Sequence, residues 1–194
     1  MSYLTGSNTE LIYINPTSGT AKASFTTEIA INDVAGMGVR AHLPPDFWRN
    51  ANDGVLRTVQ IIARGILSST ATPTYTFSCR LGVLDSITSV IALGTAALTT
   101  TSGAASQIWE FNADFALRTM GTTAATATGH GEGLFSSSGT ANKVDPIWGG
   151  GASPGTFSTL DTTITNFFNF NVACSASSAS NTITLHQLLI VGRN

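Results

Sequence analysis

Few residues in this chain have catalytic or metal-binding potential, and their spacing decides what they can do. The most suggestive run is Gly129-His130-Gly131-Glu132-Gly133. In an extended strand alternate residues share a face, so His130 and Glu132 would point the same way. A cupin-type metal site needs two histidines one residue apart and a downstream glutamate, and three protein ligands are the usual minimum. His42 and His186 are far away in sequence. His130 and Glu132 therefore read as ordinary surface or cross-strand residues, and no metal is expected. Glycoside hydrolysis would need two carboxylates roughly 5–10 Å apart across a sugar. Glu110 and Asp114 fall on one strand face, and Asp161 stands near the start of another strand. No aromatic-lined cleft is implied around them, so a solvated face is their expected setting. No serine sits in a G-x-S-x-G elbow, and neither cysteine has a base at recognisable spacing. The stretch Ser136 to Gly139 is followed by no helix whose N-terminus could cradle phosphate. The expectation is a chain without enzymatic activity and without a cofactor.

The elements that carry these residues follow a period of two, with almost no helical periodicity. The clearest strand is Thr74 to Leu81: Tyr75, Phe77, Cys79 and Leu81 alternate with Thr74, Thr76, Ser78 and Arg80, between Pro73 and Gly82. Gln107 to Thr119 sets Trp109, Phe111, Ala113, Phe115 and Leu117 against Glu110, Asn112, Asp114 and Arg118. Phe168, Phe170, Val172 and Cys174 alternate with Asn169, Asn171 and Ala173. Near the C-terminus, Ile183, Leu185, Gln187, Leu189 and Val191 alternate with Thr182, Thr184, His186 and Leu188. Val55 to Leu67 is apolar on both phases around Ile61 and Ile62, the pattern of a strand covered on both sides. Weaker candidates are Ala21 to Ile31, Met37 to Leu43, Ser89 to Leu93 and Thr126 to Phe135. About eight or nine strands with no βαβ rhythm predict an all-β, antiparallel jelly-roll or other Greek-key β-sandwich.

Composition narrows the function. Of 194 residues only 10% are charged, against about 25% in a typical soluble domain. Lys22 and Lys143 are the only lysines, and the net charge is −2. The exterior must be built from Ser, Thr, Asn and Gly, which suits packing into an assembly. No basic patch is present to displace counterions, so nucleic acid is not an expected partner. No segment approaches the roughly 20 apolar residues of a membrane span, and Met1 to Gly19 lacks the charged and apolar regions of a signal peptide. Synthesis and folding in the cytoplasm are expected. Cys79 and Cys174 each lie on the apolar phase of a run. Buried free thiols are expected, with a disulfide open only if their strands pack close together.

Three segments break the alternation. Residues 1–20 contain Leu11, Ile12, Tyr13 and Ile14 before Pro16, and read as either a first strand or an arm that docks on a neighbouring subunit. Residues 21–194 form the sandwich domain. Pro44 to Asp53 reads as a turn or a single helical turn, in which Phe47 and Trp48 either anchor a partner or plug one end of the sandwich. Ser136 to Ser158 reads as a long loop carrying Ile147 and Trp148 beside Gly149, Gly150 and Gly151. Loops of that length are usually functional or disordered. Trp148 is either an exposed anchor, since Trp is favoured at binding hot spots, or a lid over the sandwich edge.

Several stretches resemble virion proteins of tailed bacteriophages. They are Leu43-Pro44-Pro45-Asp46-Phe47-Trp48, Gly54-Val55-Leu56-Arg57-Thr58-Val59, Ala63-Arg64-Gly65-Ile66-Leu67-Ser68-Ser69, Thr72-Pro73-Thr74-Tyr75-Thr76-Phe77 with Arg80-Leu81-Gly82, and the closing run from Asp161-Thr162-Thr163 to His186-Gln187-Leu188. Together they cover about half of the chain. The resemblance implies a jelly-roll structural protein of the particle, such as a capsid decoration (cement) protein or a head or tail fibre component. It also implies a trimer that binds the major capsid protein or other virion proteins. A module that attaches to host glycans through Trp148 is the competing expectation.

Overall fold

The computed structural model describes residues 9–32, 41–49, 56–82, 90–95, 97–122, 125–137, 140–148, 155–157 and 160–193. The weak strand candidate at Met37 lies outside them as far as Arg40, as do the first eight residues of the expected arm. Among the described residues there is no α-helix, and every element is a strand. In chain order these are β1 (Thr9–Ile14), β2 (Lys22–Ala23), β3 (Ile29–Ala30), β4 (His42–Leu43), β5 (Thr58–Ser68), β6 (Thr74–Gly82), β7 (Val90–Thr95), β8 (Leu98–Thr99), β9 (Gln107–Thr119), β10 (Ala125–Ser137), β11 (Thr140–Trp148), β12 (Gly155–Phe157), β13 (Asn166–Cys174) and β14 (Thr182–Arg193).

The hydrogen-bonded order is β1-β14-β5-β9-β10-β11-β7-β6-β13-β3, antiparallel throughout. One layer is β1-β14-β5-β9, continued by β10; the other is β3-β13-β6-β7. Leaving the hairpin β10–β11 aside, the first principal strand lies beside the last and the third beside the sixth. The second lies beside the seventh and the fourth beside the fifth. That is the jelly-roll order. The expected all-β, antiparallel jelly-roll sandwich is the fold observed, and the hairpin is an insertion between β9 and β13. The expected long loop at Ser136 to Ser158 is corrected by this hairpin. Its residues from Thr140 to Trp148 form β11, paired with β10 from Ser137↔Thr140 to His130↔Trp148. Glycine and serine flank Thr140 to Trp148 on both sides, and they conceal a strand whose pairing is supplied by its neighbour.

The layers meet through rings. Trp109 and Phe111 on β9 face Phe77 on β6 and Phe170 on β13. Trp109 lies parallel to Phe170 with centroids 6.0 Å apart and 4.9 Å from Phe77, and Phe111 meets Phe170 edge-on at 5.0 Å. All four are fully buried. Such ring pairs contribute on the order of 1 kcal/mol each beyond the area they bury. Gly65 on β5 makes room for this stack: a Cβ there would stand 2.8 Å from Cζ2 of Trp109 and 1.8 Å from the carbonyl oxygen of Thr184 on β14.

Two register features correct the alternation expected at the C-terminus. Leu185 pairs with Gly65 and Gln187 with Arg64, so His186 is the extra residue of a β-bulge. Beyond it the phase inverts: Leu188 and Ile190 enter the core, and Leu189 and Val191 turn outward. Asn15 stitches this bulge to the edge strand, donating from Nδ2 to the His186 carbonyl at 2.9 Å and accepting the Leu188 N–H at Oδ1. The same device recurs on the other layer. Where the chain leaves β13 after Ile31, Asn32 donates from Nδ2 to the Phe168 carbonyl at 3.0 Å and accepts the Phe170 N–H at 3.0 Å. A carboxamide has the donor and acceptor of a peptide group, so each asparagine fills a gap in an edge ladder.

Cys79 and Cys174 are buried free thiols, as expected. Their strands do pair, but Cys79 is opposite Phe170 and Cys174 opposite Tyr75. Four residues of strand, about 13 Å, separate their positions, beyond the reach of a disulfide.

Two outcomes follow. Gly65→Ala is expected to lower stability by about 3 kcal/mol, since overpacking against backbone has no soft neighbour to yield. For a chain of this size that lowers the melting midpoint by about 6–12 °C in calorimetry. Asn32→Asp keeps the acceptor for Phe170 but sets an oxygen against the Phe168 carbonyl. It is expected to cost about 1–3 kcal/mol in urea unfolding.

Candidate functional site

The groups with chemical potential are engaged in holding the fold. On β9, Glu110 receives two parallel hydrogen bonds from Arg64 of β5, Nε to Oε2 at 3.0 Å and Nη2 to Oε1 at 3.2 Å. The hydrogen bond that Arg64 donates to Glu110, with the Glu110 charge, raises the pKa of Arg64 further, against an opposing effect of burial. Asp114 lies 3.7 Å from Arg193. Asp161 closes its own turn, accepting from the Thr163 N–H at 2.9 Å and the Thr163 hydroxyl at 2.6 Å. His186 bonds through Nδ1 to the Ser18 hydroxyl at 2.9 Å, and His42 is exposed with its ring 5.9 Å from that of Phe167. Among the described residues no three metal-ligating side chains gather. The side chains of His130 and Glu132 lie outside the described part of the structure; their backbones are opposite Asp114 and Asn112 on β9. Burial pushes the Cys79 thiol well up, so it stays protonated and unreactive at neutral pH.

The residues expected to meet a partner separate into three groups. Leu11 and Ile14 are exposed, while Ile12 and Tyr13 are half-buried against the core. They belong to β1, a strand paired with β14; of the two expectations for residues 1–20, the first strand is what residues 9–14 form. Phe47 and Trp48 are buried, Trp48 to 1% exposure. The turn after Pro44, closed by the Phe47 N–H on the Pro44 carbonyl, directs them across the sandwich end. There Trp48 meets Phe115 edge-on at 5.6 Å, and Arg57 covers the Phe47 ring at 5.0 Å. They are the plug, and as anchors for a partner they are corrected: a ring sealed by Phe115 and Arg57 has no free face to offer. The side chains of Ile147 and Trp148 lie outside the described part of the structure. Their backbones end β11, opposite Thr95 and Gly94 of β7.

A feature that alternation alone did not reveal is the outward face of β1, β14, β5 and β9. Residues in register share a face in an antiparallel ladder. Ile14, Leu189, Ile62 and Asn112 form one such row, and Leu11, Val191, Gln60 and Asp114 the next. Gln187, Arg64 and Glu110 form a third, and Thr184, Ile66 and Ile108 a fourth. Arg64 also reaches Gln187 at 3.2 Å, Gln60 donates to Asn112 at 3.1 Å, and Arg193 bonds to Gln60. Apolar side chains thus stand on an open face between polar groups that satisfy one another. The readable signals were Ile62 and Ile66 on the second phase of β5 and Ile108 on the polar phase of β9. The half-buried state of Ile62 and Ile66 is what a second layer would complete.

A second unexpected cluster sits outside the other layer. The Glu28 carboxylate accepts from Arg80 Nε at 2.8 Å and Asn171 Nδ2 at 3.0 Å, and also from the Ser78 hydroxyl and Arg80 Nη2. Asn169 and Asn171, outward in phase on β13, are fully buried. Glu28 precedes β3 and so fastens the edge of this layer onto β6 and β13.

No protein family and no curated protein matches the chain. Among solved structures, the CBM2 module of the evolved Dit protein of Lactobacillus casei BL23 phage J-1 is similar over 98% of each chain, at 9% identity and a TM-score of 0.38. No helix among the described residues is long and apolar enough to cross a membrane.

Burial alone would raise the Glu28 pKa, but the hydrogen bonds from Arg80, Ser78 and Asn171, with the Arg80 charge, outweigh it and hold the group below its usual 4.5. A carboxylate depressed in the folded state stabilises fully above its unfolded pKa and loses that contribution as pH falls through the folded value. Glu28→Gln is expected to cost about 1–3 kcal/mol at neutral pH. The gap in melting temperature between the two proteins should shrink below about pH 4.5; a gap constant down to pH 2 would contradict the assignment.

Proposed function

We propose that this chain is a structural protein of a bacteriophage particle, a decoration protein that binds the outer surface of the capsid lattice and reinforces it without catalysis. The observation that carries the reading is a rigid jelly roll with aromatic-locked layers that bears one inserted hairpin between β9 and β13. The jelly roll supplies stiffness, and the hairpin, whose β11 ends at Ile147 and Trp148 beside β7, supplies contact surface outside the eight-strand framework. Two further features support it. The resemblance to tailed-phage virion proteins runs through β5, β6, β13 and β14. The low charge makes a surface that packs against neighbours without desolvating many ions, a step that costs several kcal/mol per buried charge. Partners are the major capsid protein or other virion proteins, in copies arranged by the symmetry of the shell. Repeated weak contacts on a lattice then hold by avidity.

The test is to add the purified protein to phage shells that lack it and to count bound copies by cryo-EM. Saturating occupancy and a higher shell melting temperature are expected, with Trp148→Ala lowering occupancy at least tenfold. Shells left bare by the wild-type protein would sink the reading. A glycan array run in parallel addresses the attachment alternative: sugar binding lost in Trp148→Ala, with bare shells, would replace decoration by host attachment.

A further inference from the structure

Among the described residues four large apolar side chains are exposed: Leu11 at 58%, Ile14 at 49%, Ile108 at 59% and Ile164 at 39%. Three of the four project from one surface, the outward face of β1, β14, β5 and β9. Half-buried Leu189, Val191, Ile62 and Ile66 lie between them in register. Leu11, Val191, Ile14, Leu189 and Ile62 form one contiguous group, and Ile66 with Ile108 a second beyond the Gln187–Arg64–Glu110 row. Scattered exposed apolar residues are ordinary, but a contiguous patch marks a contact surface. We infer that this face is the surface through which copies of this chain associate, each patch covered by a second copy.

The chemistry of the face selects that occupant. Among the described residues its charged groups are Arg64, Arg193, Arg118, Glu110 and Asp114, and four of the five are matched as Arg64–Glu110 and Arg193–Asp114. The net charge of the face is small, and a strongly acidic or basic partner finds little field to bind. A copy presents the same alternation, so each sign has an opposite to meet and the apolar rows have apolar rows to cover. The size also fits. Four strands at about 4.8 Å spacing and about ten residues at 3.3 Å give roughly 600 Å² before side-chain relief, near the ~800 Å² per partner of a standard stable interface. Closed symmetric assembly would remove the patch from water in every copy. The edge of β1 is a poorer meeting point. Its register shifts between Leu11 and Tyr13, and a bulge there twists the edge away from strand addition.

This inference deepens the proposed function by naming how copies meet, and its test stands apart from shell binding. The full chain is examined by sedimentation velocity from 1 to 100 µM, beside Leu11→Glu/Ile108→Glu and Ile164→Glu, with circular dichroism to confirm folding. Both substituted positions on the face are exposed, so the fold tolerates them. The wild type and Ile164→Glu are expected at a multiple of 20.1 kDa, and the double variant at 20.1 kDa with an unchanged β spectrum. A monomeric wild type, or a folded double variant that keeps the assembled mass, overturns the inference. Association through this face with bare shells would leave the inference standing and remove the decoration reading.

Discussion

The two layers are held in one relationship by the indole of Trp109, which lies over Gly65 and against both Phe77 and Phe170. The indole N–H donates to the Ile66 carbonyl at 3.2 Å, which fixes the ring relative to β5. Because Gly65 has no side chain, β14 can approach β5 closely enough for the Thr184 carbonyl to pass where a Cβ would stand. The bulge at His186 follows immediately, and it decides which residues of β14 enter the core. Packing at one glycine is therefore linked to the identity of the exposed surface several residues later.

Edges are the weak points of a sandwich, since unpaired N–H and carbonyl groups invite unwanted strands. Here the edges are built by short strand pieces, with Asn15 and Asn32 supplying peptide-like hydrogen bonds where the main chain leaves the ladder. Buried carboxamides in these positions are satisfied on both donor and acceptor sides toward the neighbouring strand, which is the condition for burying them at small cost. Glu28 does related work outside the second layer, where one carboxylate binds groups from both β6 and β13. The low charge content does not mean that electrostatics is idle: among the described residues Arg64–Glu110, Arg193–Asp114, Arg57–Glu10 and Arg80–Glu28 tie different parts of the chain together.

The same economy explains why the exterior is quiet. Arg64 with Glu110, and Arg193 with Asp114, neutralise one another on a face whose other described side chains, Arg118 apart, are apolar or uncharged. In the association we infer, such a face would act by burying apolar area, whose strength is set by fit rather than by salt. This accords with the proposed role of a subunit that sits among copies and neighbours in an assembly.

The fold class was legible in the residues because period two is a local property: Tyr75, Phe77, Cys79 and Leu81 must share a face whatever the chain does elsewhere. The strands β6, β9 and β13 therefore lay where alternation put them, and the buried thiols with them. Local pattern could not reveal the bulge at His186, because an extra residue is recognised only when β14 is laid against β5, and so Leu189 and Val191 were assigned to the core. Nor could it decide between plug and anchor for Phe47 and Trp48, which depends on where a turn delivers them relative to Phe115. The glycine- and serine-rich stretch after Ser136 concealed β11 for the same reason: its strand exists through pairing with β10. Alternation along one strand determined what faces inward; only the register between strands, a relation across distant parts of the chain, decided which residues were left to face outward.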